Sequence, residues 1–246
     1  MKLCLAGLKA VYMESRPILR EVPYMLESFY YVSDFQIPLI NTADLFLLDS
    51  GAFTFMNGQK GHPNWDDYIN RYIRFINEND AKYFFELDID SVVGYEQVKQ
   101  IRARIERETM KKSIPVWHKS RGIDEWKRLV NDYDYIAIGG IVTGEIKKDE
   151  YHFMRKMVEY AYDRGVKVHG LGFSTQDIGT YKFYSADSTS WNSVRFGQVF
   201  KFTGEKIVNI APSTVRLNPK KIAEIQRHNI REWVKYQKYL NRSCRD

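Results

Sequence analysis

The residues of this chain best suited to chemistry fall at the ends of short β-rich runs. Run 45–48 is followed by Asp49-Ser50-Gly51-Ala52-Phe53, and run 83–87 by Asp88-Ile89-Asp90. Run 114–117 leads into His118-Lys119, and run 135–138 into Gly139-Gly140-Ile141, with Gly144-Glu145 close behind. Run 166–169 leads into Gly170-Leu171-Gly172-Phe173-Ser174, and run 184–186 into Asp187-Ser188-Thr189-Ser190-Trp191. A single aspartate after a strand caps or holds a turn. Several on one rim suit chemistry at an anomeric carbon, where one carboxylate attacks or stabilises a cation and another moves protons. The glycines let backbone N–H and C=O groups approach a planar ligand.

Other chemistries have weaker support. The five histidines, His62, His118, His152, His169 and His228, show no His-x-x-x-His spacing. A mixed site of His118, His169 and an aspartate, assembled across strands, is the remaining metal option. Ser50 and Ser188 have no neighbouring base for a serine nucleophile. No metal and no cofactor is expected.

The elements that must position these residues alternate. Helical periodicity runs through Trp65, Tyr68, Ile69, Tyr72, Ile73 and Ile76, then through Tyr95, Val98, Ile101 and Ile105. It returns at Trp126, Leu129 and Val130, and at Met154, Met157, Val158 and Ala161, with Gly165 placed as a C-cap. Strands separated by helices imply a parallel sheet. With run 2–6 there are seven candidate strands, and an eighth near 206–210 completes a (β/α)8 TIM barrel, an α/β fold whose chemistry gathers at strand C-termini. An open doubly wound sheet is the competitor, weakened by the lack of a Gly-x-Gly-x-x-Gly or Walker pattern. Thr203-Gly204-Glu205-Lys206 reads as a hairpin turn.

Composition bounds the rest. The chain has 246 residues, two cysteines (Cys4 and Cys244) and a formal net charge of +6. Two cysteines exclude a disulfide framework and a Cys-rich zinc module, and suit a reducing cytoplasm. No apolar run is long enough to cross a membrane, and no signal peptide is expected. The expected organisation is a barrel over residues 1–218 with a basic helix over 219–246, which carries +5 of the net charge. Its Lys220, Lys221, Arg227, Arg231, Lys235 and Lys238 are candidates for a nucleic-acid backbone contact, while Ile222, Ile225, Trp233, Tyr236 and Leu240 form a packing stripe.

Together, the strand-end motifs resemble the tRNA-guanine transglycosylase family. Ala137-Ile138-Gly139-Gly140-Ile141-Val142-Thr143-Gly144-Glu145 is similar to the family's A-I-G-G-L-x-x-G-E segment, and Asp49-Ser50-Gly51-Ala52-Phe53 to its D-S-G-G-F. His169-Gly170-Leu171-Gly172 is similar to its strand ending in a G-x-G turn, and Asp187 follows at nearly the spacing of its catalytic aspartate. The chain departs from the family in Ala52, in Ser188-Thr189-Ser190-Trp191 after Asp187, and in having no zinc-subdomain cysteines. A compact zinc-free member resembles the phage and bacterial branch that inserts 7-deazaguanine bases into DNA.

The resemblance implies Asp187 as nucleophile at the sugar C1′ and Asp49 as general acid/base. It implies Asp88 or Asp90 as the reader of the guanine N1–H and amine, Asp88 being closer to the strand end. Gly139, Gly140 and Ile141 would contact the base through the backbone, with Ser50, Gly51, Phe53, Gly170 and Gly172 also around it. His118 falls near a polar base-contacting position without matching its residue type. Phe53, Phe173 and Trp191 are stacking candidates. The expected partners are nucleic acid, DNA favoured over tRNA, and a 7-deazaguanine base, with an oligomer or accessory subunit possible. Hydrolysis of an N-glycosidic bond and a non-catalytic nucleic-acid-binding barrel are the alternatives.

Overall fold

The computed structural model describes residues 1–56, 63–210 and 218–243. His62, Cys244, Arg245 and Asp246 lie outside the described residues. In chain order the strands are β1 (Lys2–Ala6), β2 (Tyr24–Ser28), β3 (Leu45–Asp49), β4 (Val116–Trp117), β5 (Tyr135–Ile138), β6 (Lys167–Gly170), β7 (Ser185–Ser188), β8 (Phe200–Phe202) and β9 (Ile207–Asn209). The helices are α1 (Ile37–Thr42), α2 (Ala52–Met56), α3 (Trp65–Glu78), α4 (Asp90–Val93), α5 (Tyr95–Thr109), α6 (Gly122–Asp132), α7 (Tyr151–Tyr162) and α8 (Pro219–Ser243). Short 3-10 turns include Met13–Glu21 and Ser190–Phe196.

Seven strands form a parallel sheet in the order β3-β2-β1-β7-β6-β5-β4, curled into a half-barrel with helices on its outer side. Strand alternation sorts the core into two clusters. Cys4, Ala6, Leu26, Leu45, Leu47, Val116, Tyr135 and Ala137 share the concave face. Leu3, Leu5, Phe46, Leu48, Ile136, Ile138 and Ala186 face the helices instead. The helical stripes are buried largely as the periodicity predicts: Tyr68, Ile69, Tyr72, Ile73 and Ile76 on α3, Val98, Ile101 and Ile105 on α5, Trp126, Leu129 and Val130 on α6, and Met154, Val158 and Ala161 on α7, while Trp65, Tyr95 and Met157 are half-buried. Each such aliphatic side chain contributes about 1.5–3 kcal/mol by leaving water.

The expected run 83–87 is not a regular strand, yet it lies between the two sheet edges. The Leu48 N–H donates to the Tyr83 carbonyl at 2.9 Å, and the Phe85 N–H to the Leu48 carbonyl at 2.9 Å. On the other side the Ile114 N–H donates to the Phe84 carbonyl at 2.8 Å, and the Glu86 N–H to the Ile114 carbonyl at 3.0 Å. Side chains take over the next ladder positions. The Tyr72 hydroxyl donates to the Phe85 carbonyl at 2.9 Å, and the Val116 N–H donates to the Glu86 carboxylate at 2.9 Å. Pro115 offers no N–H at all.

Two expectations are corrected. The segment near 206–210 is not an eighth parallel strand. It contributes β9, which pairs antiparallel with β8 across the predicted Thr203–Lys206 turn, because so short a connection can only make a hairpin. Strand β2 was not expected. Its sequence, Tyr-Met-Leu-Glu-Ser, hides a strand because the polar Glu27 is buried on the helix-facing side, where it accepts from the Lys9 N–H at 2.7 Å and the Ser28 N–H at 2.9 Å.

Helix α8 packs on β1, β8 and the turns Met13–Glu21 and Ser190–Phe196. Trp233, Tyr236 and Leu240 are buried as expected, whereas Ile222 and Ile225 are only half-buried. Polar side chains complete the seat. The Gln237 amide donates to the Leu3 and Tyr24 carbonyls at 2.7 and 2.9 Å, and the Asn229 carbonyl accepts from the Phe200 N–H at 2.9 Å. Among the described residues no helix is long and apolar enough to cross a membrane.

Candidate active site

Alternation places Asp49, the last residue of β3, on the concave face two positions after Leu47. Asp187 sits in β7 directly after Ala186, which faces the helices, and so it too points inward. The same parity brings in His118 after Val116, Gly139 after Ala137, and His169 on β6. The sheet therefore gathers carboxylates and imidazoles from β3 to β7 at strand C-terminal ends.

The two principal acids have different surroundings. The Asp187 Oδ1 accepts from the Gly172 N–H at 2.7 Å and lies 3.2 Å from His169 Nε2. Both contacts fall on one oxygen, so Oδ2 has no hydrogen bond among the described residues. Asp49 is partly buried and its Oδ2 accepts one weaker bond, from the Gly51 N–H at 3.1 Å. Burial, then the charge of Asp88, pushes the Asp49 carboxyl up to about 7, with Asp187 adding to the effect and the Gly51 N–H opposing it. Cys4, paired in register with Asp187, is held as a thiol: burial and the Asp187 charge raise it well above its ordinary value.

Asp88 is buried and carries the opposite partner. Its Oδ2 lies 3.0 Å from His118 Nε2, and His118 Nδ1 lies 3.2 Å from Glu145 Oε2. Burial works against a charged ring, but the Asp88 hydrogen bond and charge outweigh it and raise His118 to about 9. Both nitrogens then donate at neutral pH. Asp90 is turned away, starting α4 and accepting from Arg121 Nε at 2.9 Å, which holds its carboxyl below the ordinary range despite burial. Arg121 also meets Glu86 at 2.7 Å, and Arg102 meets Glu86 at 3.0 Å, in a buried network that fixes the start of the β4 loop.

Each of the remaining sequence candidates has a definite place. Gly139 and Gly140 are covered: a Cβ on Gly139 would lie 2.6 Å from His118 Cε1, and one on Gly140 2.6 Å from Glu145 Oε2. The glycine pair thus makes room for the His118–Glu145 couple as well as for any ligand. Ile141 is half-buried. Ser50 is buried, and its carbonyl accepts from the Tyr68 hydroxyl at 2.7 Å. Gly51 is wedged against Tyr68 and Tyr30, Gly170 against Phe173, and Gly172 supplies the N–H to Asp187. Phe53 is exposed, whereas Phe173 and Trp191 belong to the core, Trp191 donating to the Ala6 carbonyl at 2.9 Å. Lys119 pairs with Glu150 at 2.6 Å.

The basic residues of α8 do not act as one patch at this rim. The Gln226 amide bonds the Ala10 carbonyl at 3.1 Å, just beyond the C-terminal end of β1, while the Leu240 carbonyl accepts from the Met1 ammonium at 3.2 Å at the other end. At 1.5 Å per residue the two levels are roughly 20 Å apart. Lys220, Lys221 and Arg227 therefore lie toward the rim, and Lys235 and Lys238 toward the opposite end, with Arg231 between. Lys221 is paired with Glu224 at 3.0 Å and Lys235 with Glu232. A cavity of about 600 Å3 opens at that opposite end, between Lys2, Lys167, Lys182 and Tyr184, and contains none of the rim acids.

Sequence reasoning missed Glu145, Ser185 and Tyr135 as site residues, and named His169 only in a turn motif and as a metal-ligand option. The signal for them was strand parity: Ser185 is two residues before Asp187, and Tyr135 two before Ala137. The two inward histidines bond different acids, and among the described residues no group of three His, Cys, Asp or Glu side chains is placed to hold a metal ion. A carboxyl raised to about 7 and a second one held through a single oxygen can serve acid catalysis and nucleophilic attack in one site. No family model matches the chain, and no curated protein matches it.

Proposed function

We propose that the chain is a base-exchange transglycosylase that replaces guanine in nucleic acid by a 7-deazaguanine derivative. The observation that carries this reading is the unlike provisioning of two inward carboxylates, Asp49 with its carboxyl near 7 and Asp187 held through Oδ1 with Oδ2 open. Asp187 Oδ2 attacks the sugar C1′. The C1′–N9 bond breaks, its electron pair leaves with guanine, and Asp49 delivers the proton. The incoming base then gives its N9 proton to Asp49 and displaces Asp187 from C1′. Asp88, rather than Asp90, reads the guanine N1–H and amine, since Asp90 is turned away to Arg121 whereas Asp88 meets the rim residue His118 through Oδ2 alone. The sheet acts as a (β/α)8 barrel closed through residues 83–86, which bond both edge strands.

A base inside a duplex would have to be flipped out to reach this rim, so single-stranded DNA is the first polymer to test. Lys220, Lys221 and Arg227 are the α8 residues best placed to hold its backbone. The test supplies labelled guanine or a 7-deazaguanine together with DNA or tRNA and measures label in the polymer. Incorporation that disappears in Asp187→Ala supports the proposal. Guanine release without incorporation would replace it by N-glycoside hydrolysis, and the absence of both release and incorporation would overturn it.

A further inference from the structure

Behind Asp187 a buried line of polar side chains runs along the concave face. The Tyr135 hydroxyl on β5 bonds Ser185 Oγ on β7, Ser185 Oγ lies 2.6 Å from His169 Nδ1 on β6, and His169 Nε2 lies 3.2 Å from Asp187 Oδ1. His169 and Ser185 are fully buried, and their strands pair them directly. The Phe85 ring packs on the imidazole with centroids 5.2 Å apart, which fixes its plane. Burial pushes the Tyr135 hydroxyl well above its ordinary value, so it keeps its proton.

We infer that His169 is a positioning residue for Asp187, its tautomer set from behind by Tyr135 and Ser185. The inference rests on the proposed role of Asp187. A carboxylate oxygen facing Nε2 requires a proton on that nitrogen, because two lone pairs would repel. Nδ1 then accepts from the Ser185 hydroxyl, and Ser185 accepts from Tyr135. The line is directional, every donor pointing toward Asp187. Together with the Gly172 N–H it pins Oδ1, so that Oδ2 is the oxygen presented to the sugar.

The test has a structural and a kinetic arm. Nitrogen-15 NMR of the full chain labelled at histidine reads the His169 tautomer without any substrate. The expected result is a protonated Nε2 and an accepting Nδ1, with Ser185→Ala shifting the Nδ1 signal. In base exchange, His169→Ala is expected to lose about 100-fold in kcat with KM changed by less than about threefold, the size of effect that misplacing a reacting group produces. His169→Gln, whose amide can still donate to Asp187, should recover about tenfold of that loss. An Nδ1–H tautomer, a His169→Ala enzyme with undiminished kcat, or a Gln variant no better than Ala would overturn the inference. If His169→Ala does not fold, Ser185→Ala replaces it, with about a tenfold loss in kcat expected and none contradicting the inference. If the chain performs no base exchange, the tautomer alone decides the matter, so failure of the functional reading stays distinct from failure of this one.

Discussion

Asp49 and Asp187 occupy equivalent places, on the inward face near the C-terminal ends of β3 and β7, yet their neighbours treat them oppositely. Asp187 has a backbone N–H and an imidazole on one oxygen, backed by two hydroxyls. Asp49 has a long hydrogen bond from the Gly51 N–H, a desolvating pocket and two other carboxyls whose charge it feels. The first environment fixes one carboxylate oxygen through two contacts, and the second raises its carboxyl to about 7. Two identical side chains at like strand positions thus differ in what surrounds them.

Removing the protonatable group from the Asp49 side should break this contrast most strongly. Asp49→Asn is expected to lose about 100- to 10,000-fold in turnover, the range for a general acid, while still folding. In the wild type, kcat/KM should fall as pH rises above about 7, where Asp49 loses its proton. The same substitution should stabilise the fold at high pH. Because the folded carboxyl keeps its proton up to about 7 whereas the unfolded one loses it near 3.8, stability declines as pH rises across that interval. Denaturant melts at pH 8 should therefore show Asp49→Asn more stable than wild type by about 2–4 kcal/mol, and no gain at pH 4.

His118 offers the converse test, a base whose charge is favoured. Its raised value means that its contribution to stability is complete below about 6.5 and is lost as pH rises through about 9. His118→Gln should cost about 1–3 kcal/mol at pH 6 and little at pH 10, read by the same melts. A milder change leaves both carboxyls in place. Tyr68→Phe removes only the hydroxyl that supports the Ser50 carbonyl behind Asp49. It should cost about 1 kcal/mol in thermal unfolding and leave the His169 tautomer unchanged.

Much of this arrangement was legible in the sequence, and the misses have physical causes. The helices were readable because α3, α5, α6 and α7 bury one stripe each, and a stripe is what periodicity detects. Asp49, Asp88, His118 and Asp187 were readable because they follow apolar runs. Strand β2 was not, because Glu27 is buried by bonding to the Lys9 and Ser28 N–H groups, a tertiary fact no local pattern carries. Residues 83–87 read as a strand but pair irregularly, because Tyr72 and Glu86 take backbone partners that a ladder would use. Glu145 and Tyr135 escaped for a similar reason: their roles exist only once β4, β5 and β7 are side by side. The basic character of α8 was plain, but its separation into two ends depends on how Gln226 and Leu240 dock the helix.

Attack of Asp187 on the sugar would leave a covalent protein–DNA intermediate that can be trapped. Single-stranded DNA carrying a labelled backbone is incubated with the full chain without an incoming base, quenched in denaturant and run on a denaturing gel, with released guanine measured in parallel. Label migrating with the protein, in step with guanine release, is expected for wild type, and neither for Asp187→Ala. Guanine release with no adduct, or an adduct that persists in Asp187→Ala, would contradict attack by Asp187.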